Sequence, residues 1–270
     1  MTLPLPMAWF RGWHLWLLLW SLALSVSAAE SRAKPRVLFL VGDEEYRTGE
    51  TVPAWARAEL AGQVECDFVI DDPKGPAVLR GLERLPRAQA LFLSLKRRAL
   101  EPAQLERIRA HVAAGKPVLG IRTASHAFGA RQPEPGRLTW DTFDRDVWGG
   151  HYQNHYGKGP ATLVRLAAGA AGHPVAEGWP AGEVRFSSHL YRCRDLGPGT
   201  RVLLDATVEG QPDIREPAAW IRTDGGRRHF YTSLGSPEDF REPAFRRLLA
   251  GAVRWAVSAG PGAAAGPGRP

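Results

Sequence analysis

The chain has 270 residues, a formal net charge of +7, 44% hydrophobic and 23% charged residues. That bounds the protein at one large or two small domains, at roughly 100–200 residues each, and such globular usage excludes disorder as the main state. Only five of the 35 basic residues are Lys, and the Arg residues are scattered among acids without a dense basic run, which argues against a nucleic-acid partner.

Residues 1–28 carry one charge, Arg11, then an apolar run over 13–24 and the small-residue stretch Ser25-Val26-Ser27-Ala28-Ala29. This is the anatomy of a secretory signal peptide. The run of about 12–16 residues is short of the roughly 20 that span a bilayer. Cleavage after Ala28 or Ala29 would export a domain of residues 29–257 to the periplasm or the extracellular space, with no membrane attachment. Retention as an uncleaved anchor is the alternative. Cys66 and Cys193 are too few for a disulfide framework. They either pair or remain two separate thiols.

Residues 36–42 (RVLFLVG) form a continuous apolar run closed by Gly, the pattern of a strand buried on both faces. A helix is predicted over 53–60, with Thr51 as its cap and Pro53 in its first turn. Strands follow at 65–70 and 88–95. Glu101-Pro102 opens a helix that Gly115 stops, and 116–121 is another apolar strand. This rhythm predicts an α/β fold, a three-layer, mostly parallel sheet with helices on both faces. Residues 129–160, rich in Gly, Pro, Trp, Tyr and His, read as a long ordered loop of the kind that holds ligands. Further strands are expected at 161–166, 184–186 and 201–204. A hairpin joins 219–222 to 228–233 about Asp224-Gly225-Gly226, and a last helix runs from 243 to 257. The tail at 258–270 cannot build a core and is expected to be disordered.

Four clusters carry chemistry. Gly42-Asp43-Glu44-Glu45-Tyr46-Arg47 follows the first strand, at the carboxyl edge where open parallel sheets bind ligands. Its acids suit acid–base work or hydrogen bonds to a polar substrate, or they form a solvated turn. Arg122-Thr123-Ala124-Ser125-His126 follows another strand. It lacks the glycines of a nucleophile elbow, and as sequence neighbours Ser125 and His126 are not expected to face one another. Trp148-Gly149-Gly150-His151-Tyr152-Gln153-Asn154-His155-Tyr156 holds two His at i,i+4, a metal spacing on a helix. The flanking glycines oppose a helix and favour a polar-aromatic pocket. His189-Leu190-Tyr191-Arg192, with His229 in the late hairpin, is the fourth. His111, His173 and His229 read as structural.

Lys116-Pro117-Val118-Leu119-Gly120-Ile121 resembles the strand that enters the nucleophile turn of class I glutamine amidotransferases. There the next residue is the catalytic Cys, and a later His-Pro-Glu completes the triad. Here Arg122 and Ser236-Pro237-Glu238 stand instead, so glutamine hydrolysis by that mechanism is not expected. A closer resemblance is to the trehalose-utilisation (ThuA-like) family. It is carried by residues 37–42 with Glu45-Tyr46-Arg47, by His173-Pro174-Val175 with Gly178, by Leu190-Tyr191-Arg192, and by 219–226 with 230–235 and Trp255. The resemblance implies a flavodoxin-like, amidotransferase-like fold and a role in the metabolism of disaccharides and their keto derivatives. The chain departs from the family's pattern at Ser188-His189, where many members have an acidic pair, and at Ser236, where many have His.

The leading expectation is an exported sugar-processing enzyme whose partner is a small carbohydrate. His126 or His155 would move a proton, and Arg122 would hold negative charge developing on oxygen. Glu45, Tyr46, Trp148, His151, Tyr152 and Tyr191 would bind substrate. No cofactor and no resident metal are expected. The alternatives are a non-catalytic sugar-binding or scaffold module, and a metal-dependent hydrolase built on His151 and His155.

Overall fold

The computed structural model describes residues 33–258 apart from 73, 76, 158, 159 and 194. The expected leader at 1–28 and the tail after Ser258 lie outside the described residues. In chain order the elements are β1 (Arg36–Val41), α1 (Thr48–Glu59), β2 (Glu65–Ile70), β3 (Ala90–Ser94), α2 (Pro102–Ala113), β4 (Val118–Ile121), α3 (Phe143–Trp148), β5 (Asn154–His155), β6 (Thr162–Leu166), β7 (Val184–Phe186), β8 (Tyr191–Arg192), β9 (Thr200–Val208), β10 (Gln211–Arg222), β11 (His229–Thr232) and α4 (Pro243–Val257).

Nine strands form one sheet in the order β2-β1-β3-β4-β11-β10-β9-β6-β7. The run from β2 to β11 is parallel, and from β11 to β7 every pairing is antiparallel. The alternation within β1 separates two cores. Val37, Phe39 and Val41 join Val52 and Trp55 of α1 and Phe245 and Leu249 of α4 in one. Leu38 and Leu40 join Leu105 and Ile108 of α2 and Phe143 and Val147 of α3 in the other. Each fully buried Phe or Leu contributes about 1.5–3 kcal/mol, so both faces hold helices and the layering is as expected. Cys66 packs against the first core and Cys193 lies in the second, on opposite faces of the sheet, and both are free thiols.

Three local expectations are corrected. α1 begins at Thr48 rather than beside Pro53, because Arg47 turns the chain at φ 49° and the Thr48 N–H donates to the Asp43 carbonyl. Thr51 is therefore not a cap but donates its hydroxyl to the Arg47 carbonyl within the helix. β10 reaches back to Gln211, through Pro212 and Pro217, with the register slipping beside both. Bulges are where a strand tolerates proline. The expected loop at 129–160 contains α3 and β5.

Candidate functional site

The carboxyl edge of the parallel strands gathers the turns after β1, β3, β4 and β11. Arg122 follows β4 directly with φ 51°, a left-handed conformation that costs a side chain of order 1–3 kcal/mol. This strained position is the one at which the resembled amidotransferases carry their Cys. The Tyr231 hydroxyl pins it by donating to the Arg122 carbonyl at 2.6 Å. The Arg122 side chain is fully buried. Its Nη1 donates to the carbonyls of His189 (2.6 Å) and Ser233 (2.7 Å), and its Nη2 to the Tyr46 hydroxyl (3.3 Å). The guanidinium carbon lies 4.2 Å from the ring centre of Tyr191 and 4.7 Å from that of Tyr46. Burial opposes its charge, but Tyr191, Tyr46 and Asp239 outweigh that and raise its pKa. Cation–π contacts strengthen when desolvated in this way.

Beside this buried charge opens a cleft of about 330 Å³, lined by Asp43, Glu45, Asp71, Lys96 and Arg98 among others. Asp43 is buried; its carboxylate accepts from the Thr123 hydroxyl (2.5 Å) and the Glu45 N–H (3.0 Å). Burial raises its pKa above the ordinary carboxylate value, and the Thr123 bond and the Lys96 charge only partly oppose this. Glu45 moves the other way. Burial would raise it, but the bond and charge of Lys96, the Tyr46 hydroxyl and the Arg122 charge hold it lower. Glu45 and Lys96 form an ion pair at the mouth of the cleft.

His126 stacks on Tyr152, with ring centres 4.5 Å apart, and lies 6.4 Å from Tyr191. Its Nδ1 is 3.1 Å from the Ser125 hydroxyl, so these sequence neighbours do face one another, contrary to expectation. Burial, then the charges of Arg97, Lys96, Arg122 and Arg131, lower the His126 pKa to about 3. Burial and these charges disfavour the imidazolium and leave the neutral, hydrogen-bonding ring beside the cleft. The His155 ring lies 5.8 Å from that of His189, whose carbonyl binds Arg122.

Arg122, Tyr46, Tyr191, His126, Tyr152, Glu45 and, through His189, His155 are therefore neighbours. Two expected substrate binders have other work. Trp148 is buried in the second core, with its indole N–H on the Val118 carbonyl at 3.0 Å and its ring over Gly120, where a Cβ would come within 2.3 Å of it. Tyr191 is buried against the guanidinium, so neither ring is open to a sugar face. His151 faces Asp144 and lines a different cleft. Among the described residues no group of three or more His, Cys, Asp or Glu is arranged to hold a metal ion, so the His151–His155 metal reading lacks a ligand set.

Residues 36–256 match the family described as trehalose utilisation, ThuA. The chain belongs to the ThuA family. No curated protein matches the sequence. Among solved structures the chain is similar to a putative ThuA-like protein from Bacteroides uniformis, with 19% identity, a TM-score of 0.62 and coverage of 84% of this chain and 93% of that one. A putative ThuA-like protein from Parabacteroides merdae gives 20%, 0.59, 83% and 90%. A β-galactosidase from Rahnella sp. R3 shares the fold over 31% of its own length, with 15% identity, a TM-score of 0.53 and coverage of 83% of this chain.

Within this ThuA-family fold, sequence reasoning missed Lys96, Asp144 and Asp239 and did not carry Asp43 forward from its cluster. Lys96 was within reach of the carboxyl-edge rule, because it follows β3 as Glu45 follows β1. Asp239 was not. It caps the turn at Ser236, accepting from the Gly235 and Ser236 N–H groups at 2.9 and 3.1 Å and from the Ser188 hydroxyl. Ser188 and Ser236, the two departures from the family's pattern, are joined hydroxyl to hydroxyl at 3.0 Å.

Proposed function

We propose that this chain is an exported protein of carbohydrate metabolism that binds and processes a disaccharide or its keto derivative in the cleft beside Glu45 and Lys96. The observation that carries the reading is a pair of carboxyls lining one cleft in opposite settings, Asp43 buried and bonded to the Thr123 hydroxyl and Glu45 ion-paired with Lys96, so that burial pushes Asp43 up while Lys96 and its neighbours hold Glu45 down. Such a pair divides acid and base roles between two like groups. Asp43 is the proton holder and Glu45 the ionised acceptor, with Lys96 as a donor to hydroxyl or carbonyl oxygen. Arg122, sealed from solvent, acts by its field and through the Tyr46 hydroxyl rather than by contact. His126 and Tyr152 form the adjoining wall, with His126 hydrogen-bonding as the neutral ring and His155 behind it. The family's description as trehalose utilisation supports the substrate class.

Thermal unfolding with trehalose, maltose and 3-keto-disaccharides tests this. A ligand at 100 times its Kd adds about 2.7 kcal/mol, roughly 5–10 °C for a domain of this size. Stabilisation by a sugar that is absent in Glu45→Gln is expected. The same stabilisation in that variant places the sugar elsewhere, and no stabilisation by any sugar overturns the reading. Binding without turnover of any of these sugars would leave the non-catalytic sugar-binding module.

A further inference from the structure

The opposite end of the sheet holds a second cleft, of about 230 Å³, lined by Arg145, His151, Gln153, Asp195 and Arg222 among others. Its position follows from register. Arg222 pairs with His229, the first residue of β11, so this cleft lies at the amino edge of the parallel strands. The carboxyl-edge rule has no account of a polar cleft there.

The side chains are held, not scattered. α3 ends at Gly149, whose φ of 73° turns the chain back along the helix. The turn brings His151 over the first turn of its own helix, where its Nδ1 lies 3.2 and 3.3 Å from the two oxygens of Asp144. The same carboxylate accepts from the Tyr152 N–H at 2.7 Å and the Arg145 N–H at 2.8 Å, strapping the returning chain to α3. The Asp144 side chain is 5% exposed and that of His151 is 36% exposed. With the Nδ1 proton on Asp144, the Nε2 lone pair is the acceptor presented outward. A carboxylate behind an imidazole fixes its tautomer and steadies the imidazolium once a proton arrives. Across the opening Gln153 and Asp195 are exposed. Asp195 is held at φ 65°, in the left-handed region that is uncommon for a side chain. The Arg222 guanidinium is tied to the carbonyls of Arg145 and Asp146 and to Asp224, and so forms a rigid wall.

We infer that the amino-edge cleft is a second ligand site, in which His151, oriented by Asp144, accepts a proton or hydrogen bond from a hydroxyl of a small polyhydroxylated ligand. Gln153 supplies a donor and an acceptor and Asp195 an acceptor for further hydroxyls, and Arg145 donates from the rim. The sugar class rests on the function proposed above; the site itself does not.

The test uses the full chain labelled with 15N-histidine, titrated with trehalose and, separately, with D-glucose. His126 lies beside the carboxyl-edge cleft and His151 lines the amino-edge one, and Tyr152, which stacks on His126 and donates its N–H to Asp144, joins them, so every variant is read on both rings. Saturable movement of the His151 Nε2 resonance is expected, weakened about tenfold by Gln153→Ala, a substitution at an exposed position. The His126 response should be unchanged in that variant. His151→Gln identifies the resonance, and loss of the Nδ1–H tautomer in Asp144→Asn checks the orientation. Movement of His126 with a still His151 overturns the second site and leaves the proposed function standing. A moving His151 with a still His126 supports the second site and sinks the carboxyl-edge reading. If neither moves, both fall.

Discussion

The two ends of β4 treat ionisable groups in opposite ways. At the carboxyl end the fold buries charge. Arg122, Asp43 and Asp239 all lie out of water, held by carbonyls, hydroxyls, N–H groups and aromatic faces rather than by direct ion pairs with one another. At the amino end it buries neutral rings. The His229 Nδ1 accepts from the Val118 N–H at 3.0 Å, and the His111 Nε2 lies 3.1 Å from the Pro117 carbonyl. Those imidazoles staple backbone, and His151 is left near solvent. The difference teaches that a buried charge is kept here where several hydrogen-bonding groups meet it, Asp144 included, because burying it costs several kcal/mol per ion in desolvation.

The sharpest way to break this comparison is to remove the buried cation. Arg122→Met leaves the His189 and Ser233 carbonyls without their donor, and each unsatisfied buried group costs about 1–3 kcal/mol. A loss of about 2–5 kcal/mol is expected in urea unfolding, with the slope unchanged. Relief of the desolvation penalty opposes part of it. The Glu45 carboxyl should also lose one of the influences that hold it low. If the variant were as stable as the parent, the cation would not be structurally compensated and the contrast would fail.

The amino end answers to pH. Burial first, then neighbouring positive charges, lowers the pKa of His229 to about 4; for His111, also about 4, burial leads and Lys116 adds. In the unfolded chain these rings titrate near 6.5. Between those limits the unfolded state binds more protons, so stability rises with pH through the window and is lost as pH falls from about 6.5 towards 4. His229→Leu should cost about 1–3 kcal/mol at pH 7, by stranding the Val118 N–H. It should also flatten the slope between pH 5 and pH 7. An unchanged slope in urea titrations at the two pH values would show that His229 is not held neutral.

These contrasts bear on how far the sequence could be read. The runs at 36–42, 88–95 and 116–121 were legible because a strand buried on both faces needs continuous apolar residues. β10 was not, because Pro212 and Pro217 look like breaks until bulges absorb them. Six-residue α3 is too short to show a period. Trp148 resembled a sugar-stacking ring because it stands beside two glycines. The residue that decides its place is Gly120, 28 positions earlier, whose missing Cβ leaves room for the indole. Glu45 and Arg122 were found by their positions after strands, since the carboxyl-edge rule is local. The Tyr191 ring on Arg122 and the separation of His151 from His155 depend on contacts between distant segments and on the turn at Gly149, and no spacing encodes those.

The finest cut into the comparison is Thr123→Val, a nearly isosteric change at a buried position. It removes the 2.5 Å hydrogen bond to Asp43 and nothing else of substance. That bond opposes the upward shift which burial imposes on Asp43, so its loss should raise the carboxyl further. The folded state then holds the Asp43 proton to a higher pH than the unfolded chain does. A carboxyl raised in this way costs stability progressively as pH climbs from its ordinary value through its folded value. The variant should therefore be about 1–2 kcal/mol less stable at pH 7, and the difference should shrink at pH 4, as the pH falls through the range of the raised carboxyl. Urea midpoints at the two pH values measure this directly. An equal loss at both would mean that Thr123 acts by packing alone, and Asp43 would lose its claim to be the tuned acid of the carboxyl edge.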